Sequence, residues 1–172
     1  MTGSALLLAI GYVLPFLTGQ IPEIGNLLLP MHLPVMMCGI IFGGGWGCAV
    51  GFVLPITRSF IFSRPIMFPS AIAMSFELAA YGLVIGALCS LIKPKRFLSV
   101  YPPLIASMLL GRAVWGAAMT ALLGFSGNGF TAALFISGAF VDAIVGIVIQ
   151  LVLIPSVTVL FVKMGVIRYN TD

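Results

Sequence analysis

The chain has 172 residues, of which 61% are hydrophobic and 7% charged, and its formal net charge is +4. A soluble domain carries roughly 25% charged residues, so the composition excludes one and makes the lipid bilayer the chain's solvent. With a rise of about 1.5 Å per residue and about 20 residues per hydrocarbon crossing, the length suits about six spanning helices and leaves no room for a separate soluble domain.

The first predicted span covers residues 4–18, with Pro15 bending or ending it. It has neither the positive leader nor the small-residue cleavage site of a signal peptide, so it reads as a retained span. A polar, turn-rich connection carrying Gln20, Glu23 and Asn26 leads to His32 and Pro34, which open a second span over residues 32–43. Gly43, Gly44 and Gly45 supply the turn into a third span, residues 46–57. Spans two and three are short for a crossing, so tilt or burial by neighbours is expected to compensate.

The next connection, residues 58–69, carries Arg58, Arg64 and an apolar tip of Ile66, Met67 and Phe68. It reads as a lid between spans three and four, and Arg58 and Arg64 read as solvated loop charges unless that lid closes. Residues 70–92 make a fourth span of ordinary length, closed by the basic cluster Lys93, Lys95 and Arg96. The fifth span, residues 104–123, ends at a glycine-rich turn that includes Asn128, and a sixth apolar stretch follows over residues 130–162.

The expected architecture is therefore an all-α integral membrane protein, six transmembrane helices in one bundle. With six spans both termini share a side. That side carries Lys93, Lys95, Arg96, Lys163 and Arg168, against Arg58 and Arg64 on the other. The excess places the termini in the cytoplasm and the lid outside.

Three charges lie inside the spans: Glu77, Arg112 and Asp142. Each costs about 2.5 to 3.5 kcal/mol on insertion scales if left alone at a helix centre, so each is expected to have a partner or a task. Tyr81 lies one turn from Glu77 on the same face, and Trp115 shares a face with Arg112. Asp142 lies one turn from Gly138 and from Gly146, with Gln150 two turns on, a stripe suited to close helix approach. Arg112 and Asp142 read either as a buried ion pair that sets helix register or as ligand contacts. His32 reads either as an interfacial histidine bonded to loop backbone or as a ligand contact.

Other chemistry is disfavoured. No phosphate-cradling G-x-x-x-x-G-K-[ST] loop is present, so the chain is not expected to hydrolyse ATP itself. The basic residues are few and mostly flank apolar runs, a pattern of membrane orientation rather than of nucleic-acid binding. A single histidine cannot build a zinc hydrolase, and no G-x-S-x-G motif occurs, which leaves an intramembrane enzyme as a weak alternative. Cys38, Cys48 and Cys89 lack metal-ligand spacing and read as small core residues. Small residues recur every fourth position at Ala5 and Ala9, at Gly43, Gly47 and Gly51, at Gly82 and Gly86, and at Ala113, Ala117 and Ala121, the spacing that lets helix backbones approach.

Taken together these residues resemble the substrate-binding S component of energy-coupling factor vitamin importers. The resemblance rests on small size, six spans with both ends inside, and Ala5-x-x-x-Ala9 in span one. It also rests on His32-Leu33-Pro34-Val35-Met36 through Gly43-Gly44-Gly45-Trp46-Gly47, on Pro55 to Arg58 with Phe68-Pro69, and on Phe76-Glu77-Leu78-Ala79-Ala80-Tyr81-Gly82. It extends over nearly the whole chain and is strongest over residues 30–90. It implies a protein of a prokaryotic cell membrane that captures a vitamin or precursor from outside. A separate transmembrane coupling subunit and two ATPase subunits, which use ATP and Mg, would supply the energy, and this chain would hold no cofactor of its own. It further implies that Ala5 and Ala9 face the coupling subunit.

The expected binding site joins His32, Glu77 and Tyr81 to Arg112, Trp115 and Asn128, with Asp142 contributing from span six and Arg58, Arg64, Met67 and Phe68 forming the lid. A carboxylate at Glu77 beside aromatic rings suits a pyridine or pyrimidine ligand, with pyridoxine or hydroxymethylpyrimidine leading. Pantothenate is the alternative, its carboxylate met by Arg112 or Arg58. A stand-alone facilitator and a structural membrane subunit share the same composition.

Overall fold

A computed structural model describes residues 2–17, 29–94, 97–125, 137–138, 143–165 and 167. Among them are six α-helices and no strand. They are α1 (Thr2–Leu17), α2 (His32–Phe42), α3 (Gly44–Phe62), α4 (Ile72–Ile92), α5 (Tyr101–Phe125) and α6 (Ile144–Lys163). A π-helical turn, Met67–Ala71, leads into α4, and a 3-10 turn, Phe97–Val100, leads into α5. Four of these helical stretches are long and apolar enough to cross a membrane: Gly44–Phe62, Met67–Ile92, Phe97–Gly124 and Ile144–Lys163.

The other two are shorter, 16 residues in α1 and 11 in α2. At about 1.5 Å per residue, α2 reaches about half of a ~30 Å hydrocarbon core. Burial makes such a length tolerable, because a backbone end enclosed by protein is not presented to lipid. His32 and every residue from Pro34 to Ile40 are buried, and α2 packs against α1, α3, α4 and α6.

Only Gly43 separates α2 from α3. At φ 91° it adopts a conformation that glycine takes without a Cβ penalty, and its N–H donates to the Gly39 carbonyl at 3.0 Å, closing α2. The glycines that follow it do different work. A Cβ at Gly82 would lie 2.3 Å from the Gly47 carbonyl oxygen, one at Gly51 would lie 2.4 Å from the Leu78 carbonyl oxygen, and one at Gly86 would lie 2.4 Å from the Gly44 nitrogen. The pairing order is antiparallel, so α3 and α4 meet backbone to backbone, as small residues at fourth positions predict. Ala113, Ala117 and Ala121 differ, since their stripe lies on the exposed face of α5.

α4 is the central helix, packed against α2, α3 and α5. Met36, Tyr81, Ile85, Leu104, Met108 and Ile154 form one buried cluster, and Val35, Cys38, Val50, Leu54 and Leu78 belong to a second. Cys38 and Cys89 are buried and Cys48 is half-buried, and all three are free thiols.

The third helix runs past its expected end at residue 57 as far as Phe62, where Ser63 at φ 56° stops it. The physical reason lies in Thr57 and Arg58. Thr57 Oγ1 donates back to the Val53 carbonyl at 2.7 Å, and Arg58 is 2% exposed rather than solvated. The expected lid, residues 58–69, is thereby reduced to a short link, residues 63–66, before the π-helical turn that holds Met67 and Phe68. In the sixth stretch, residues 130–136 and 139–142 lie outside the described residues, and helix is described from Ile144 onward.

Candidate functional site

Three helices bring their ionisable residues to one point. His32 is the first residue of α2, Glu77 lies in the second turn of α4, and Arg112 lies near the middle of α5. Arg112 Nη1 donates to Glu77 Oε1 at 2.7 Å, and His32 Nε2 approaches the same oxygen at 3.5 Å. His32 and Glu77 are each 1% exposed and Arg112 is 5% exposed. A short bond between two ions in a medium of low dielectric is a strong one, and it cancels the charge that would otherwise stand alone among apolar side chains.

Tyr81 completes the cluster from below. Its ring meets the His32 ring edge-on, with centroids 5.1 Å apart, and α5 makes room for it at Gly111, where a Cβ would lie 2.7 Å from the ring. Consecutive residues of α5 thus serve one site: Gly111 admits the phenol and Arg112 meets the carboxylate.

These positions bear on two expectations. Asp142, read either as the ion-pair partner of Arg112 or as a ligand contact, lies outside the described residues, and the partner that the structure describes for Arg112 is Glu77 on α4. His32 is not bonded to loop backbone through its ring at an interface; its imidazole points into the bundle toward Glu77. Trp115, one turn from Arg112, is half-buried, and a Cβ at Gly138 would lie 2.8 Å from its Cη2. Asn128 also lies outside the described residues.

The lid residues divide. Arg58 does not belong to a loop. It lies in α3, donates from Nη1 to the Tyr12 carbonyl at 2.7 Å, and sits over the rings of Phe16 and Phe62 at 5.4 and 5.2 Å. A guanidinium satisfied by a carbonyl and two ring faces needs no water, which is why the charge did not end the helix. Tyr12 Oη and Thr57 Oγ1 form a second bond between the same two helices. Arg64 and Phe68 are exposed and Met67 is half-buried. On α1, Ala5 and Ala9 are exposed together with Leu6, Val13 and Phe16.

Several buried polar atoms have no hydrogen-bond partner among the described residues: His32 Nδ1, Arg112 Nε and Nη2, both amide atoms of Gln150, and Thr158 Oγ1. Gln150 was not among the expected site residues. The signal for it was present, since it is an amide inside a strongly apolar helix, on the buried line that runs from Gly146 through Gln150 to Ile154 and Thr158. Among the described residues no three of His, Cys, Asp and Glu gather as a metal-holding group.

Chemically, the arrangement is a neutral pair of opposite charges with donor and acceptor capacity to spare. The atoms left without partners are the ones that can form further directional bonds. Comparison of the chain with family models, with curated proteins and with solved structures finds no match.

Proposed function

We propose that this chain is the membrane-embedded capture subunit of an energy-coupling-factor type importer, binding a water-soluble vitamin or vitamin precursor from outside the cell membrane of a prokaryote. In this reading a separate transmembrane coupling subunit and two ATPase subunits complete the transporter, and ATP with Mg is used there. The chain itself is not an enzyme and needs no cofactor.

The observation that supports it is the buried meeting of His32, Glu77 and Arg112 inside the helical bundle, with polar atoms left over. Ionisable groups at membrane depth are costly and cluster at substrate paths. Exposure of Ala5 and Ala9 on α1 is consistent with docking of a partner helix there. Pyridoxine or hydroxymethylpyrimidine and, alternatively, pantothenate are the ligands the residue types suggest. The bond from Arg112 to Glu77 takes up part of the acceptor capacity on which the first pair depends.

A second reading, a purely structural subunit, draws on the same bond, because an ion pair needs no ligand to be satisfied on that side. Calorimetric titration of the purified chain against a panel of B vitamins and their precursors separates the two. Capture predicts saturable binding of one compound, one per chain, with a Kd in the nanomolar range. No saturable binding contradicts it. Uptake into liposomes that contain this chain alone would instead make it a facilitator.

A further inference from the structure

The unused edge of Arg112 specifies what kind of ligand the site takes. A guanidinium is planar, and Nη1, which lies on the Cδ side, is the nitrogen bonded to Glu77. Nε and Nη2 point along another edge with parallel N–H bonds, and both are buried without an acceptor among the described residues. That edge is the one that receives two oxygens of a planar anion at once. His32 adds a second constraint. Its Nε2 faces Glu77 Oε1, and its Nδ1, on the other side of the ring, is buried without a hydrogen-bond partner among the described residues.

The geometry points to a ligand that bears a carboxylate, held by the Nε and Nη2 edge of Arg112, with a second polar group that bonds to His32 Nδ1. Glu77 is then a positioning residue: it fixes the plane of the guanidinium and balances its charge while the site is empty. This inference rests on the capture function proposed above. A phosphate also fits a guanidinium fork, but it brings more charge into a cluster whose two ions already cancel, and a singly charged carboxylate costs less to bury.

The test uses the full chain in phosphatidylcholine nanodiscs and matched acid and neutral pairs: pantothenate with pantothenol, nicotinate with nicotinamide, 4-pyridoxate with pyridoxine, and biotin with its amide. One acid is expected to bind saturably, with its neutral counterpart weaker by about 100-fold or more, since the site would leave buried donors unpaired. Arg112→Lys, which keeps the charge and loses the fork, is expected to weaken that acid by about tenfold or more. Should this variant not fold, the acid-to-neutral ratio of the wild-type protein decides alone.

Binding of neutral members as tightly as acids overturns the carboxylate assignment and leaves capture standing. No saturable binding by any acid overturns the carboxylate assignment, and capture falls with it only if hydroxymethylpyrimidine and the remaining B vitamins also fail to bind. Competition by inorganic phosphate, or loss of acid binding when phosphatidylglycerol is added to the nanodisc, assigns the fork to a phosphate or a lipid headgroup and overturns the proposal. So does an Asp142→Asn variant that unfolds at as low a temperature as Glu77→Gln, because the fork would then belong to Asp142.

Discussion

Glu77 Oε1 accepts from Arg112 Nη1 at 2.7 Å across the α4–α5 interface, with both side chains enclosed. This bond adds to the packing of the central helix on its neighbour and holds the guanidinium plane in place. A double-mutant cycle over Glu77→Gln and Arg112→Gln should therefore give a coupling energy of about 1 to 3 kcal/mol in thermal or denaturant unfolding. Each single change should cost more than the pair changed together, because each leaves one buried ion without its counter-charge. Additive effects would show that the two residues do not depend on each other.

Sequence reasoning found the members of this cluster more readily than their pairing. Glu77, Tyr81 and Arg112 stand out because a charge or phenol within an apolar run needs a reason. Depth along a helix can be counted from sequence, but the direction in which a residue faces across the bundle depends on how helices pack, and that is why the bond from Arg112 to Glu77 was not foreseen, while Asp142 lies outside the described residues. Arg58 illustrates the same gap. Beside a predicted loop it reads as solvated, and only the approach of Phe16, Phe62 and the Tyr12 carbonyl turns it inward. The α3–α4 contact was the more legible part, since Gly47, Gly51, Gly82 and Gly86 repeat at a spacing with one common use.

That contact makes a direct prediction. Gly82→Ala places a methyl group 2.3 Å from the Gly47 carbonyl, where backbone cannot yield as a flexible side chain would. The variant should lose about 1 to 3 kcal/mol of stability or fail to accumulate. Gly45→Ala, inside α3 and with nothing within 4 Å of its Cβ, should hold or slightly raise the unfolding temperature. Equal behaviour of the two variants would contradict the close approach of α3 and α4.

Arg58→Gln should destabilise the protein by about 1.5 to 3 kcal/mol, the range for a hydrogen bond to a charged group, through loss of its bond to the Tyr12 carbonyl and its ring contacts. Ligand affinity at the Glu77 cluster should change less than twofold or so. A selective loss of binding at unchanged stability would return Arg58 to the ligand site.

Ala5→Leu with Ala9→Leu enlarges two exposed positions on α1, so folding and ligand capture by the isolated chain should be preserved. Uptake by the complete transporter should fall, since bulk at these positions keeps a partner helix at a distance. Normal uptake by this variant would remove α1 as the docking face.

Trp115 gives the most direct measurement. It lies one turn from Arg112, half-buried, while Trp46, the other tryptophan, is 42% exposed on α3. In a Trp46→Phe background the fluorescence of Trp115 alone can be followed as the vitamin and precursor panel is added. A ligand held at Arg112 and His32, with Glu77 fixing the guanidinium that grips it, should change that emission saturably, and Glu77→Gln should shift the titration to a weaker affinity by about 1 to 3 kcal/mol. Emission that does not respond to any compound, or a titration that Glu77→Gln leaves in place, would contradict a capture site at this cluster.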